Sequence, residues 1–165
     1  MRIVEVNWVP LCIHTHYSLL RGFCKPDEIV SKCKEYGYKA CAITDYKSIS
    51  GAVNFYKACQ AESIKPIIGC DFGDFSLLAK NKAGWFDLIE LTGTIGTDNF
   101  NTTLEKMTQK DNLYRLDSPL REREIYYAQK EDAILQRILL CSGMKTTLSK
   151  VEKKLEGADR RFFDS

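Results

Sequence analysis

The segment from Pro10 to Gly73 decides the fold of this chain. It opens with PLCIHTHYSLLRG (residues 10–22), continues through ACAITDY (residues 40–46) and closes with KPIIGCDFG (residues 65–73). Each piece contains a short apolar run typical of a strand, and a segment with helical periodicity follows each of the first two. Strand, helix, strand, helix and strand in succession predict a parallel α/β sheet.

Polar side chains stand at the end of each predicted strand. Parallel strands bring their carboxyl ends to one edge of a sheet or barrel, and functional residues gather there. The residues concerned are Cys12, His14 and His16 after the first strand, Asp45 after the second, and Cys70 and Asp71 after the third. Imidazole and carboxylate groups suit zinc, manganese or iron, and two such ions together activate water against a phosphate ester. We therefore predict that Cys12, His14, Asp45 and Asp71, together with Asp74, converge at one end of the fold.

The His14-Thr15-His16 pair does not by itself establish a metal site. Residues at positions i and i+2 lie on the same face of any strand, whether or not a ligand is bound there. The alternative is that His14 is a buried histidine hydrogen-bonded to a neighbouring carboxylate. The pair alone does not decide between these two interpretations.

Length and composition indicate one globular domain. The chain has 165 residues, of which 44% are hydrophobic and 28% charged, so it can bury a core. The net charge of +2 is too small to argue for nucleic-acid binding. We interpret the basic residues of the C-terminal half as a solvated helix surface with weak or indirect nucleic-acid contact at most. Seven cysteines without a signal peptide predict a reducing, cytoplasmic location, and no apolar run approaches the ~18 residues of a membrane span.

The remaining elements are predicted from their patterns. A helix begins at Lys25, and a second helix spans Ser50–Glu62, with an apolar stripe formed by Ala52, Val53, Phe55, Tyr56 and Cys59. After Gly73 we predict a parallel strand at 75–79, a helix at 84–91, a loop at 92–103, a helix at 104–110, an irregular segment at 112–120, a strand at 124–127, a helix from Lys130 with Ile134 and Ile138 inward, and a polar helix at 147–157.

These segments resemble, in order, the motifs of the PHP (polymerase and histidinol phosphatase) family. The opening PLCIHTHYSLLRG is similar to the first motif of the PHP domain at the N-terminus of bacterial DNA polymerase III alpha subunits. The supporting matches are AITD (42–45), GAVNFY (51–56), IKPIIGCD (64–71), LLAKN (77–81), IYY (125–127), KEDA (130–133) and ILLC (138–141). Together they cover most of the chain.

The resemblance implies a fold and a domain plan. The fold is α/β, a truncated and distorted (β/α) TIM-like barrel of the PHP type. A single domain, residues 1–165, would consist of an N-terminal βα half-barrel at 1–91, a shortened middle at 92–123, and a C-terminal strand with helices at 124–165. The middle is considered shortened because the family's domain is longer than this chain.

The resemblance also implies a trinuclear metal site, from which this chain departs. Counting back from Tyr17 places the family's first histidine pair on Cys12 and His14, whereas a register through His16 needs a two-residue gap. At the other matching positions, where the family carries acids or histidines, this chain has Arg21, Tyr46, Asp71, Asp74, Glu124 and Tyr126. Tyrosine supplies no imidazole, and the cation of Arg21 would repel a divalent ion.

We therefore expect weak metal binding or none. The candidate ligands are Cys12, His14, Asp71, Asp74 and Glu124, and the residues expected to line the site are His16, Arg21, Asp45, Tyr46 and Tyr126. We expect no resident cofactor, and the alternative is one weakly bound zinc or manganese ion at Cys12, His14 and Asp71. No residue is assigned a catalytic role.

Three functional hypotheses follow from the resemblance. The first is a non-catalytic structural or interaction module of a replication system, of the reduced kind found in a phage, whose partners are a DNA polymerase or other replication proteins. The second is an active metal-dependent phosphoesterase, either a phosphatase or a 3′–5′ exonuclease. The third is a gene remnant without a role, and the helical patterns of the C-terminal half argue against it.

Overall fold

A four-stranded sheet forms the centre of the fold. The computed structural model describes residues 9–117 and 124–155. Its elements in chain order are α1 (Pro26–Glu35), β1 (Ala40–Tyr46), α2 (Ala52–Glu62), β2 (Lys65–Asp71), β3 (Phe75–Ala79), α3 (Lys82–Gly93), α4 (Phe100–Thr108), β4 (Leu113–Asp117), a 3₁₀ turn (Lys130–Asp132), α5 (Ala133–Met144) and α6 (Leu148–Leu155). The described chain is thus mixed α/β.

Parallel pairing organises the N-terminal half of the sheet. β1 pairs in parallel with β2. The segment after Pro10 runs beside β1 in the same direction, because Ala42 N donates to Pro10 O at 2.9 Å and Thr44 N donates to Ile13 O at 2.8 Å. On its other side, Ile13 forms a parallel bridge with Ile125. The predicted parallel order of the first three strands is confirmed.

The predicted parallel pairing of the strand after Asp74 is wrong. β3 runs antiparallel to β2, and β4 runs antiparallel to β3. Only Phe72, Gly73 and Asp74 join β2 to β3, and Gly73 takes a φ of +107° in this turn. A parallel crossover needs a dozen or more residues, so a connection this short permits only a hairpin. The described strands form an open sheet in the order β1-β2-β3-β4, and the predicted TIM-like barrel is not confirmed.

Three elements of the C-terminal half differ from their prediction. Helix α4 begins at Phe100, inside the segment 92–103 that was expected to be a loop, because Thr103 and Met107 are buried on its inner side. β4 forms within the segment 112–120 that was expected to be irregular. Of the strand expected at 124–127, only two isolated bridge residues, Ile125 and Tyr127, are present. Packing against neighbouring elements overrides the weak local propensities of these segments.

The predicted inner faces of α2 and α5 are partly wrong. Val53 and Tyr56 of α2 are 58% and 51% exposed, and Ile134 and Ile138 of α5 are 44% and 54% exposed. The other residues of the predicted α2 stripe, Ala52, Phe55 and Cys59, are buried as expected. Periodicity identifies an apolar stripe on a helix, but the neighbours decide how much of that stripe is covered.

Two apolar clusters lie between the sheet and its helices. The first packs α1 and α2 on β1, around Phe55 and Ile43. The second packs α3 on β2 and β3, around Leu88 and Leu77. None of these four side chains is more than 2% exposed, and burial of such apolar surface is the main favourable contribution to folding.

The cysteines of this chain are thiols. All seven lie in the described part of the chain, and none of them forms a disulfide. Within the same residues, no helix is both long enough and apolar enough to span a bilayer.

Gly84, in the first turn of α3, provides a test of the close packing between α3 and the backbone directly before β4. A Cβ at this position would lie 2.2 Å from the backbone oxygen of Asn112. We expect Gly84→Ala to lower the free energy of unfolding by about 1–3 kcal/mol, because the backbone before β4 must move to admit the methyl group. Urea unfolding followed by circular dichroism measures the change.

Gly93→Ala, at the other end of the same helix, is the matched control. Nothing beyond the helix's own backbone and the adjoining residues lies within 4 Å of a Cβ built at Gly93. We expect its free energy of unfolding to stay unchanged or to rise by up to about 1 kcal/mol, because alanine favours the helix over glycine. Equal effects of the two substitutions would contradict the close approach at Gly84.

Candidate metal centre

Three side chains that can bind a metal ion come together at the carboxyl end of β2. Asp71 is the last residue of that strand. Glu124 is brought beside His14 because the backbone N–H of His14 donates to Ile125 O at 2.8 Å. One ligand atom from each of His14, Asp71 and Glu124 lies within 4.8 Å of the other two, and no other group of this kind is found within residues 9–117 and 124–155.

This group fits one divalent ion. One imidazole with two carboxylates is a donor set that suits zinc and manganese. Bonds of about 2.0–2.2 Å to a single ion would place the donor atoms roughly 3.5 Å apart, and His14 Nε2 lies 4.0 Å from Glu124 Oε1. His14 and Asp71 are each 1% exposed, whereas the side chain of Glu124 is 19% exposed. Solvent therefore reaches the group from the Glu124 side.

Tyr126 holds two members of the group in place. Its ring stacks on the imidazole of His14 with a centroid distance of 4.4 Å and an interplanar angle of 11°. Its hydroxyl donates to Glu124 Oε2 at 2.8 Å, and the other carboxylate oxygen, Oε1, is the one nearest His14. Tyr126 therefore supplies orientation in a position where a histidine would supply a further ligand.

Two cations lie over the ring of Tyr46 at the same edge of the sheet. Arg21 Cζ is 3.5 Å and Lys47 Nζ is 5.2 Å from the ring centroid. Tyr46 pairs with Asp71 in the parallel register of β1 and β2, so these charges and the Asp71 carboxylate share one end of the sheet. Positive charge at this end opposes the binding of additional divalent ions.

Asp45 anchors the loop that follows His14. Its Oδ1 accepts hydrogen bonds from Thr15 N at 2.6 Å and Ser18 Oγ at 2.7 Å, and its Oδ2 accepts one from Thr15 Oγ1 at 2.8 Å. The residue is 1% exposed. Burial raises the pKa of the Asp45 carboxyl, although the hydrogen bonds from Ser18 and Thr15 act in the opposite direction. Asp45 is thus a structural acceptor at the edge of the candidate centre.

Thr15 and Ser18 were not identified from the sequence as residues of the site. The signal that could have found them is a pair of hydroxyl side chains in the turn after the Ile13 segment, together with a buried aspartate near the carboxyl end of the neighbouring parallel strand β1. Such a carboxylate needs donors nearby, because burying it without hydrogen bonds is costly.

The other predicted site residues lie elsewhere. Cys12 is buried in an apolar cluster with Leu78, and Asp74 is exposed in the turn after β2. His16 is exposed, with its Nδ1 3.3 Å from a backbone oxygen. Burial raises the pKa of the Cys70 thiol to about 12, so it stays protonated at neutral pH. The structure therefore joins His14 and Asp71 to Glu124, and not to Cys12 or Asp74.

Removing the Asp45 carboxylate tests its role as anchor. We expect Asp45→Ala to lower the free energy of unfolding at neutral pH by about 2–4 kcal/mol, because three buried donor groups lose their acceptor. Asp74→Ala is the matched control, and its effect should stay within about 0.5 kcal/mol because that carboxylate is exposed. Urea unfolding measures both variants, and equal stabilities would contradict the anchor.

The raised pKa of Asp45 also predicts a pH dependence. Because the folded state holds this proton more tightly than the unfolded chain, the stability contributed by the protonated group is fully present below the ordinary pKa of aspartate. It is lost as the pH rises through the raised folded value. We expect Asp45→Asn, which keeps an acceptor oxygen but does not titrate, to flatten this part of the stability profile in unfolding measured between acid and neutral pH. An unchanged profile would contradict the assignment.

Known proteins named DNA polymerase III subunit alpha are similar to this chain. The one from Aquifex aeolicus is 52% identical over 65 residues, which are 39% of this chain and 6% of that protein. The one from Buchnera aphidicola subsp. Acyrthosiphon pisum is 28% identical over 147 residues, which are 89% of this chain and 12% of that protein. The chain therefore spans only a small fraction of the length of these relatives.

Solved structures show more distant similarity. A protein of Bifidobacterium adolescentis, proposed to be a metal-dependent phosphoesterase, matches 95% of this chain and 58% of its own length, with a TM-score of 0.46 and 14% identity. An amidohydrolase of Chromobacterium violaceum matches 52% of this chain and 34% of its own length, with a TM-score of 0.38 and 16% identity.

The family model of the PHP domain matches residues 11–158. The match begins directly before Cys12 and His14 and continues past Glu124 and Tyr126, so it includes every residue of the candidate metal centre. It covers most of the 165 residues. This chain belongs to the PHP domain family.

Proposed function

We propose that this chain is a replication-associated PHP domain that acts as a structural or interaction module, without phosphoesterase turnover of its own. Its partners are a DNA polymerase of the III alpha type or other replication proteins. The relatives named DNA polymerase III subunit alpha support this context. The proposal includes a cytoplasmic location, with which the seven thiols agree.

The observation that carries the proposal is the composition of the candidate metal centre. Cleavage of a phosphate ester by paired metal ions needs ligands for both ions and an open position for water. Within the described residues, one group of three ligands comes together. The neighbouring positions hold the phenol of Tyr126 and the cation of Arg21 stacked on Tyr46. These side chains offer no ligand set for a second ion.

The residues of the centre nevertheless suit a single ion. A zinc or manganese ion bound by His14, Asp71 and Glu124 would neutralise two carboxylates and polarise a bound oxygen. Tyr126 holds Glu124 Oε2, so the Oε1 atom remains near His14. Arg21 keeps positive charge at this end of the sheet. In this proposal the ion stabilises the junction of the two chain segments that carry His14 and Glu124.

The proposed architecture is a truncated, distorted (β/α) barrel of the PHP type formed by residues 1–165 as one domain. The parallel order of the Ile13 segment, β1 and β2 supports it, as does the bridge from Ile13 to Ile125, which adds a parallel neighbour on the other side of the Ile13 segment. The antiparallel β3 and β4 are the part that departs from a regular (β/α) repeat.

A metal-dependent phosphoesterase is the second candidate. The specific observation in its favour is a groove of about 460 Å³ beside the candidate centre, whose lining includes Arg21, Tyr126, Leu140 and Lys154. A phosphate ester bound in this groove could meet the cation of Arg21. The alternative requires that one ion and this groove suffice for hydrolysis.

Metal titration with a matched pair of histidine variants tests the proposal. We expect the purified protein to bind at most one equivalent of zinc or manganese by isothermal titration calorimetry. His14→Ala should abolish this binding, whereas His16→Ala should leave it unchanged because His16 is outside the group. Tyr126→Phe should weaken it about 10-fold, since it removes the hydrogen bond that orients Glu124.

Activity separates the two candidate functions. We expect no manganese- or zinc-dependent release of nucleotides from single-stranded DNA ends, and no hydrolysis of a phosphate monoester above the buffer control. Robust turnover that His14→Ala abolishes and His16→Ala retains would establish the phosphoesterase in place of the module. A pull-down against purified replicative polymerase tests the interaction itself.

A further inference from the structure

A groove of about 570 Å³ runs between α2 and α3 on the helical face of the sheet. It lies apart from the candidate metal centre. Pro66, Ile68 and Ala79 of the sheet form its floor, Val53 and Tyr56 belong to the α2 wall, and Trp85 belongs to the α3 wall.

The groove follows from the hairpin between β2 and β3. In a parallel sheet each crossover helix covers the face between two neighbouring strands. Here the three residues from Phe72 to Asp74 make the connection, so no helix of this connection packs between α2 and α3. The registers place Ile43, Ile68 and Ala79 on one face of the sheet, with Ile43 opposite Ile68 and the hairpin register aligning Ile68 with Ala79. This is the face against which α2 and α3 pack.

The walls of the groove expose apolar side chains. Val53 is 58% exposed and Tyr56 is 51% exposed, and Trp85 is partly buried. Both exposed residues were expected from periodicity to face the core, because they continue the apolar stripe of α2. An apolar patch of this kind on a soluble surface marks an interaction site when it is continuous and has a polar rim.

The rim of the groove is basic. Lys57, Lys80 and Lys82 line it, and no aspartate or glutamate does. Lys80 is paired with Asp111, whereas Lys57 and Lys82 are exposed and belong to none of the ion pairs formed between residues of the described ranges. The rim therefore offers two ammonium groups to a partner.

We propose that this groove binds an amphipathic α-helix of a partner protein, with its apolar face on the sheet and acidic side chains directed at Lys57 and Lys82. A helix fits because the groove lies between two helices and above two strands, where the helix of a parallel crossover would pack. We expect acidic side chains on the partner helix because the rim of the groove carries exposed lysines. The floor of the groove, Pro66, Ile68 and Ala79, is aliphatic and suits apolar side chains, whereas the rings on which nucleic-acid bases could stack, Tyr56 and Trp85, belong to the walls.

A pair of labelled peptides tests the proposal. Each peptide is about 15 residues long, because a helix rising 1.5 Å per residue then matches the seven residues of β2 at about 3.3 Å each. Both carry leucines along one helical face, and the flanking positions are glutamates in one peptide and lysines in the other. We expect saturable one-to-one binding of the glutamate peptide in fluorescence anisotropy, at least about tenfold tighter than the lysine peptide and weakened by salt.

Variants assign the binding to the groove. Val53→Asp should weaken the glutamate peptide about tenfold or more, as loss of an apolar anchor does. Ile89→Asp is the matched control, because Ile89 is a 41% exposed β-branched residue of α3 that does not line the groove. Lys57→Glu combined with Lys82→Glu should reverse the preference toward the lysine peptide. Thermal melts establish that all variants remain folded.

Four results would overturn the proposal. They are the absence of saturable binding by the glutamate peptide, equal binding of both peptides, equal loss in Val53→Asp and Ile89→Asp, and displacement of the glutamate peptide by a thymidine oligonucleotide, which would make the groove a nucleic-acid site. Sedimentation of the protein alone tests a second copy as occupant. A dimer that Val53→Asp dissociates and Ile89→Asp retains would also replace the proposed partner.

Discussion

The buried carboxylate of Asp45 is the interaction on which the site end of this fold depends. It accepts two hydrogen bonds from Thr15 and one from Ser18, and Ser18 Oγ in turn accepts the backbone N–H of Tyr46 at 2.9 Å. These bonds tie the turn after His14 to the carboxyl end of β1. A carboxylate that is 1% exposed is tolerated because several donors surround it. The position of His14 beside Asp71 follows from this attachment.

The end of the sheet that carries the candidate metal centre holds both ligand side chains and groups that oppose the binding of further metal ions. His14, Asp71 and Glu124 form a compact donor set, but the adjacent tyrosines carry no imidazole and Arg21 lies directly over one of them. Tyr126 is bound to both His14 and Glu124 through stacking and a hydrogen bond, so it contributes order without contributing a ligand. In the function proposed above, such a centre would hold one ion for structure and not several for hydrolysis.

The features that the sequence predicted correctly depend on a local hydrophobic pattern or on a position at the end of a strand. The parallel strands up to Asp71 and the presence of His14 and Asp71 at one end of the fold were predictable, because parallel strands share the edge of their carboxyl ends. Glu124 was a candidate ligand only through the family resemblance. Its place beside His14 depends on the backbone bond between His14 and Ile125, more than a hundred residues away in sequence, which no local pattern encodes. Cys12 has the right chemistry, but it packs in an apolar cluster instead.

The three-residue turn around Gly73 connects two features that would otherwise be unrelated. It ends β2 at Asp71, whose Oδ1 accepts the backbone N–H of Gly73 at 2.8 Å, and so helps to fix one ligand of the candidate centre. A turn this short leaves no room for a crossover helix, so β3 runs antiparallel to β2. Ile68 and Ala79 therefore lie at the floor of an open groove. A longer connection that restored a helix would cover the groove and change the orientation of β3. The exposed Val53 and Tyr56 thus have the same origin as the antiparallel strand: one turn too short for a helix.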